Sequence, residues 1–248
     1  MDVALAALAL APGLALGSFL NVVAARLPRR QSLVRPGSSC RSCGARIAWY
    51  DNVPLVSYVL LRGRCRSCRE PIGLVYPAVE LATALLVAGC VLAFGVTWRA
   101  LVAGVFCAAL VVVTATDLEH RIVPNRVVLP ASVVVLAGQT GVDPSVEWVV
   151  AAFGASLFLF VAVVAYPKGM GMGDVKLAFL MGAALGRNVT VALLLGMIAA
   201  LLPSIALFAR HGAAARKMAI PFAPFLAVGS LVALFAGDRL LDAYLTTV

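Results

Sequence analysis

Residues 169–177 read GMGMGDVKL, a glycine-rich turn carrying one carboxylate, Asp174, between two apolar runs. The run before it spans residues 148–166, and a shorter one follows at 175–186. An ionisable side chain at the edge of a bilayer core is costly, which makes Asp174 a candidate functional group. The same pattern of apolar stretches broken by short polar turns recurs in both directions along the chain. Several stretches reach the roughly 17 to 25 residues needed to cross a bilayer. Of the 248 residues, 62% are hydrophobic and 12% charged, against about half and a quarter in a soluble domain. An all-α polytopic membrane protein is expected. Transmembrane β-strands would alternate apolar and polar positions instead of giving continuous runs.

Eight spans are expected, at 3–25, 74–96, 100–116, 127–138 (continuing the pattern from 122), 148–166, 175–186, 189–209 and 220–235. The first run has no basic leader before it and arginines after it, so it reads as a span and not as a cleaved signal. Residues 26–73 are a polar insert with ten arginines and two acids, Asp51 and Glu70. The expected division is a first membrane helix (1–25), a small cytoplasmic domain (26–73) and a seven-helix membrane domain (74–248).

The net charge is +9, from 17 Arg and 3 Lys against 11 acids. Counted by side, 17 of the 20 basic residues fall on one face of the eight-span arrangement, with Arg99, Arg187 and Arg239 on the other. Basic residues gather in cytoplasmic loops, so the asymmetry predicts an N-terminus outside and excludes the need for a nucleic-acid partner. It also places Asp117, in the segment ATDLEHRIVPN, on the same cytoplasmic face as Asp174. Gly13 and Gly17, four residues apart in the first span, predict close approach of another helix. No internal repeat is visible, which removes the best sequence pointer to an inverted-repeat transporter.

Cys40, Cys43, Cys65 and Cys68 form two C-x2-C pairs separated by 21 residues. Four thiolates at this spacing suit tetrahedral zinc. With all four positions filled by protein, the metal's role is structural. The alternative is two unrelated reactive or disulfide pairs, which a reducing cytoplasm disfavours. Cys90 and Cys107 lie alone in apolar runs and read as packing residues.

Two carboxyls sharing a proton can hydrolyse a peptide bond: the ionised one takes a proton from water, and the protonated one hydrogen-bonds the carbonyl oxygen. Glycines before Asp174 leave room for an extended substrate backbone. The residues alone leave other readings open. Asp174 suits the N-cap of a helix starting at Val175, Asp117 is one of several charges beside the membrane, and intramembrane acids also serve proton-coupled transport. Glu80, one turn into a span, reads either as a buried acid paired with an insert arginine or Asn21, or as a ligand for a substrate or cofactor amine. His120 and His211 read as solvated loop residues.

In chain order, GSFLNVVAARLP (17–28), the two C-x2-C pairs, WYDNVPLVSYVLLRGRC (49–65), YPAVELATALL (76–86), DLEHRIVPN (117–125), GMGD (171–174) and PFAPFLAVG (221–229) together resemble the type IV prepilin leader peptidases. These are membrane aspartyl proteases with a G-x-G-D motif. The resemblance implies that Asp117 and Asp174 are the catalytic pair. It implies substrates that are type IV prepilins or pseudopilins, cut after a glycine on the cytoplasmic side of the bacterial cell membrane. Members with the cysteine-bearing insert also N-methylate the new N-terminus using S-adenosylmethionine, so both activities are expected. The chain departs from the family's PFGP, having Ala223 in place of glycine, and has Leu74 and Val75 where a basic residue often precedes YPxxE. Two other classes remain as alternatives: a small proton-coupled transporter using the same aspartates, and a non-enzymatic scaffold docking a partner through its zinc knuckle.

Overall fold

The computed structural model describes residues 2–166, 170–212 and 220–247. Parts of two expected turns, at 167–169 and 213–217, lie outside the described residues. Nine α-helices are present among those described: α1 (Asp2–Arg26), α2 (Val56–Leu60), α3 (Val75–Phe94), α4 (Trp98–His120), α5 (Asn125–Val142), α6 (Glu147–Ala165), α7 (Met172–Leu185), α8 (Val189–His211) and α9 (Ala223–Thr247). Apart from the five-residue α2, each helix answers to one of the eight expected spans. Six stretches are long and apolar enough to cross a membrane, with α7 and α8 counted together as Met172–His211. α5 is not among them. Strand pairing among the described residues is limited to two isolated bridges in the insert.

The chain divides into two compact units, residues 1–100 and 101–248. In the first, α1 and α3 form a hairpin flanking the insert. A Cβ at Gly13 would lie 2.7 Å from Ala84 Cα, and one at Gly17 would lie 2.7 Å from Glu80 Cα. The rising and falling numbers make the helices antiparallel, and the two glycines let their backbones meet. The Asn21 side-chain amide reinforces the contact by donating to the Tyr76 carbonyl at 3.0 Å.

The second unit is built around α7, which is buried on nearly every side. A short helix that is apolar all round must be surrounded by others, and α5, α6 and α9 pack on it. Leu177, Leu180 and Met181 of α7 are fully buried with Val113, Val128, Val135 and Leu226. α6 instead turns Phe153, Leu157, Val161 and Val164 outward, the face a lipid-contacting helix presents. Cys90 and Cys107 are each 1% exposed, as packing residues should be.

Three helix ends differ from expectation. α5 continues through Gln139 and Thr140 because their side chains are satisfied inside the protein: Gln139 donates to the Ala184 carbonyl at 2.8 Å, and Thr140 to the Leu136 carbonyl at 2.8 Å. α9 runs on to Thr247, and its Asp238 accepts from Asn188 at 2.9 Å and Arg187 at 3.3 Å. α7 begins three residues before Val175, which changes the reading of Asp174. Between α7 and α8, Gly186 has φ +54°, a left-handed conformation natural to glycine.

Candidate functional site

The segment 117–125 and the GMGD segment meet in the second unit. A Cβ at Gly173 would lie 2.7 Å from Val123 Cβ, so only hydrogen at this position lets the α4–α5 loop seat on the start of α7. Beside that contact, Lys176 Nζ donates to Asn125 Oδ1 at 2.9 Å. Ser156 Oγ donates to the Val175 carbonyl at 3.2 Å and ties the same turn to α6. Gly171 differs from Gly173. Its φ of −95° and ψ of 158° are extended backbone, and a Cβ there would have nothing nearer than 3.8 Å. Gly171→Ala should therefore leave the thermal midpoint nearly unchanged, whereas Gly173→Ala should lower it measurably in detergent as Val123 is pushed aside. Equal shifts for the two variants would contradict this packing.

Asp117 and Asp174 are 6% and 8% exposed, and the charge on one acts on the other. Each is held at the N-terminus of a helix. Asp174 is not the N-cap of α7 but lies inside its first turn. The N-cap is Gly171, whose N–H donates to Asp174 Oδ2 at 3.2 Å while the Asp174 N–H donates to the Gly171 carbonyl at 3.1 Å. Asp117, near the end of α4, accepts from the Ala223 N–H at 3.1 Å. That donor is free for a definable reason. The N–H groups of Phe225 and Leu226 both bond the Phe222 carbonyl, and Pro224 has none, so the Ala223 N–H is left as an orphan donor at the start of α9. A carboxylate there also faces the positive end of the helix dipole. Sequence reasoning missed Ala223. The signal was Pro224, since proline is favoured in the first turn of a helix.

Glu80, in the first unit, is half-buried. Its Oε2 accepts the Leu55 N–H at 2.9 Å, and Ser18 also bonds it. These two bonds stand where a pairing with an insert arginine or Asn21 was expected. Leu55 sits at φ +57° immediately before α2, so Glu80 stabilises a strained junction of the insert. His120 is also corrected. It is the last residue of α4, its Nε2 is shielded from solvent without a hydrogen-bond partner, and it lies 3.8 Å from Glu119 Oε1.

The four paired cysteines converge. Their sulfurs all lie within 4.8 Å of one another, with Cys40 Sγ 3.7 Å from Cys68 Sγ. A tetrahedron with metal–sulfur bonds of about 2.3 Å has edges of about 3.8 Å, so the cluster has the dimensions of a tetrathiolate zinc site. The two halves are alike. Cys40 N–H donates to the Ala45 carbonyl and Cys65 N–H to that of Glu70, both at 2.9 Å. Each turn ends on a left-handed residue, Gly44 (φ +71°) and Arg69 (φ +61°). The Cys43 and Ser42 N–H groups aimed at Cys40 lower its thiol to about 6. At Cys68 the Glu70 N–H pulls downward, but desolvation and three neighbouring sulfurs outweigh it and push the thiol up to about 12. Four sulfurs this close cannot all ionise unless a cation sits among them.

Two family models match the chain: the bacterial peptidase A24 N-terminal domain over residues 12–94 and the type IV leader peptidase family over residues 104–206. Curated relatives named prepilin leader peptidase/N-methyltransferase include one from Bacillus subtilis, 34% identical over 243 residues that cover 94% of this chain and 95% of the relative. Another, from Pseudomonas aeruginosa, is 35% identical and covers 94% of this chain and 91% of the relative. A third, from Myxococcus xanthus, is 40% identical over 74% of this chain and 57% of the relative. No solved structure matches. Nothing in these matches favours a transporter. With its family-specific segments in order and full-length relatives above 30% identity, the chain belongs to the type IV leader peptidase family.

Proposed function

We propose that this membrane protein is a prepilin leader peptidase in which Asp117 and Asp174 are the catalytic pair, and that it also N-methylates the product. The observation that supports this reading is that two buried carboxylates from distant segments, near enough for the charge on one to act on the other, are each held by a backbone N–H at a helix start. Such donors fix the carboxylates in place and leave their other oxygens for water and substrate. One carboxylate, ionised, takes a proton from water as the water oxygen attacks the scissile carbonyl carbon. The other, protonated, donates to the carbonyl oxygen. The resulting intermediate collapses with proton transfer to the leaving amine, and the C–N bond breaks. Gly171, where no neighbour crowds the place of a side chain, admits the extended substrate backbone.

The substrates are prepilins or pseudopilins, and the cut falls after a glycine on the cytoplasmic side. Topology follows the basic-residue asymmetry, with the N-terminus outside. S-adenosylmethionine, when bound, supplies the methyl group for the freed amine. Glu80 is already engaged by Leu55 and Ser18, and its role is to hold the insert. Zinc in the Cys40, Cys43, Cys65 and Cys68 site joins two turns that have little apolar core of their own.

Incubation of the purified protein with a prepilin and S-adenosylmethionine should give a shortened, methylated product by mass spectrometry. An unchanged prepilin mass would defeat the proposal. Elemental analysis should find about one zinc per chain, as a closed four-thiolate site predicts. Cys68→Ser should lose most of that zinc, and retention of full metal content would place it elsewhere.

A further inference from the structure

The insert carries more positive charge than its own chemistry uses. Over residues 26–73, from the last residue of α1 to just short of α3, ten arginines face two acids. A divalent ion held by four thiolates has a net charge of −2, which would reduce the surplus of eight to six. Four of these arginines are gathered in one place. Arg62, Arg64, Arg66 and Arg69, with Leu60 and Leu61, line a hollow of about 750 Å³. Asp51 occupies Arg66 through two hydrogen bonds of 2.6 and 2.7 Å. Arg62, Arg64 and Arg69 are exposed and make no ion pair among the described residues.

An apolar face adjoins the hollow. On α2, Val56, Val59 and Leu60 stand at i, i+3 and i+4, and so share one side of the helix; they are 52%, 72% and 76% exposed. Trp49, shortly before α2, is 82% exposed. The depth of this face is fixed by Glu80. It is the sixth residue of α3, about 7.5 Å along the axis from Val75, and it binds the Leu55 N–H at the start of α2. α2 therefore begins beside the first turns of a membrane helix, not beyond its end.

We propose that this face of the insert seats on the bilayer itself. The arginine-lined hollow takes the phosphates of anionic phospholipids, and α2 and Trp49 enter the boundary between headgroups and acyl chains. Guanidinium groups bind phosphate bidentately, and an apolar helix face with a tryptophan belongs at that boundary. Loop arginines that only set topology need neither a shared hollow nor an adjoining apolar face.

The test uses the full chain with Trp98→Phe and Trp148→Phe, leaving Trp49 as the reporter. The protein is placed in nanodiscs of phosphatidylcholine with a minor share of phosphatidylglycerol, one or the other brominated on its acyl chains. Brominated phosphatidylglycerol should quench Trp49 beyond its share of the bilayer, an enrichment of roughly tenfold or more after allowing for screening. Replacing Arg62, Arg64 and Arg69 together by Gln should abolish the enrichment, and replacing all three by Lys should keep part of it, since the charge stays while the bidentate fork is lost. No quenching by either lipid would mean that the face points away from the bilayer, free for a protein partner, and would overturn the proposal. Equal quenching per lipid, or enrichment that survives the Gln variant, would do the same. Loss in the Lys variant as complete as in the Gln variant would make these arginines determinants of the insert's fold. Enrichment erased by inorganic phosphate, but not by chloride of equal ionic strength, would make the hollow a site for soluble phosphate.

Discussion

Asp174→Asn is expected to give a folded protein that no longer shortens a prepilin, and Asp117→Asn is expected to do the same. Asparagine keeps the shape of aspartate and an oxygen that accepts a hydrogen bond. The Gly171 N–H at one site and the Ala223 N–H at the other keep their partners, so the thermal midpoint should hardly move. The lost function is the ability to hold and release a proton. With one carboxyl gone, the pair can no longer activate water and polarise the carbonyl together. The rate should fall by roughly a thousandfold or more. The assay is the prepilin mass shift, with thermal unfolding in detergent as the control for folding. Cleavage near the unsubstituted rate in either variant would remove that residue from the catalytic pair. Under the proposed roles, methylation of a pre-cleaved substrate should survive in both variants.

Gly182→Ala is expected to produce a large loss of stability from the addition of one methyl group. A methyl group at this position would run into the backbone of Ala151 and Ala152 on α6. Backbone cannot rotate away as a side-chain tip can, so α6 and α7 would have to separate. That opens contacts of a helix whose Leu177, Leu180 and Met181 are fully buried. Overpacking of this kind costs about 1–3 kcal/mol, and a backbone obstacle puts the substitution at the upper end. Because Asp174 lies on the first turn of α7, cleavage should also fall, by as much as roughly a hundredfold for a displacement near 1 Å. Gly154→Ala on α6 is the matched control, since a Cβ there meets nothing within 4 Å. If Gly182→Ala unfolds at the same temperature as Gly154→Ala, the close approach of α6 and α7 is not a source of stability.

The helices were largely readable from the chain because lipid enforces the pattern: a segment in hydrocarbon must be apolar and must satisfy its own backbone. The two glycines of α1 and the convergence of the four cysteines were likewise readable, each from residue type and spacing. The ends of α5 and α9 were not. Gln139 and Asp238 look like loop residues until Ala184 and Asn188 are known to face them. The partners of Glu80 were hidden for the same reason. A carboxylate's partner is assumed to be a side chain, whereas here it includes the main-chain N–H of Leu55, 25 residues earlier. The bond from Ala223 to Asp117 crosses 106 residues and involves a backbone atom, so no side-chain motif announces it. Yet it ties the PFAP segment to Asp117 through a backbone N–H, a group that alanine and glycine both carry.

α7 has 14 residues, and at 1.5 Å each it rises about 21 Å. The oily layer it crosses is about 30 Å deep. Were its Gly186 end at the far headgroups, the helix would stop several ångström below the near ones. Because α5, α6 and α9 pack on α7, that shortfall would be a hollow among protein helices through which water reaches Asp174. With Asp174 as half of the proposed catalytic pair, the chain to be cut would be drawn down out of bulk solvent into a small damp recess within the membrane's own thickness.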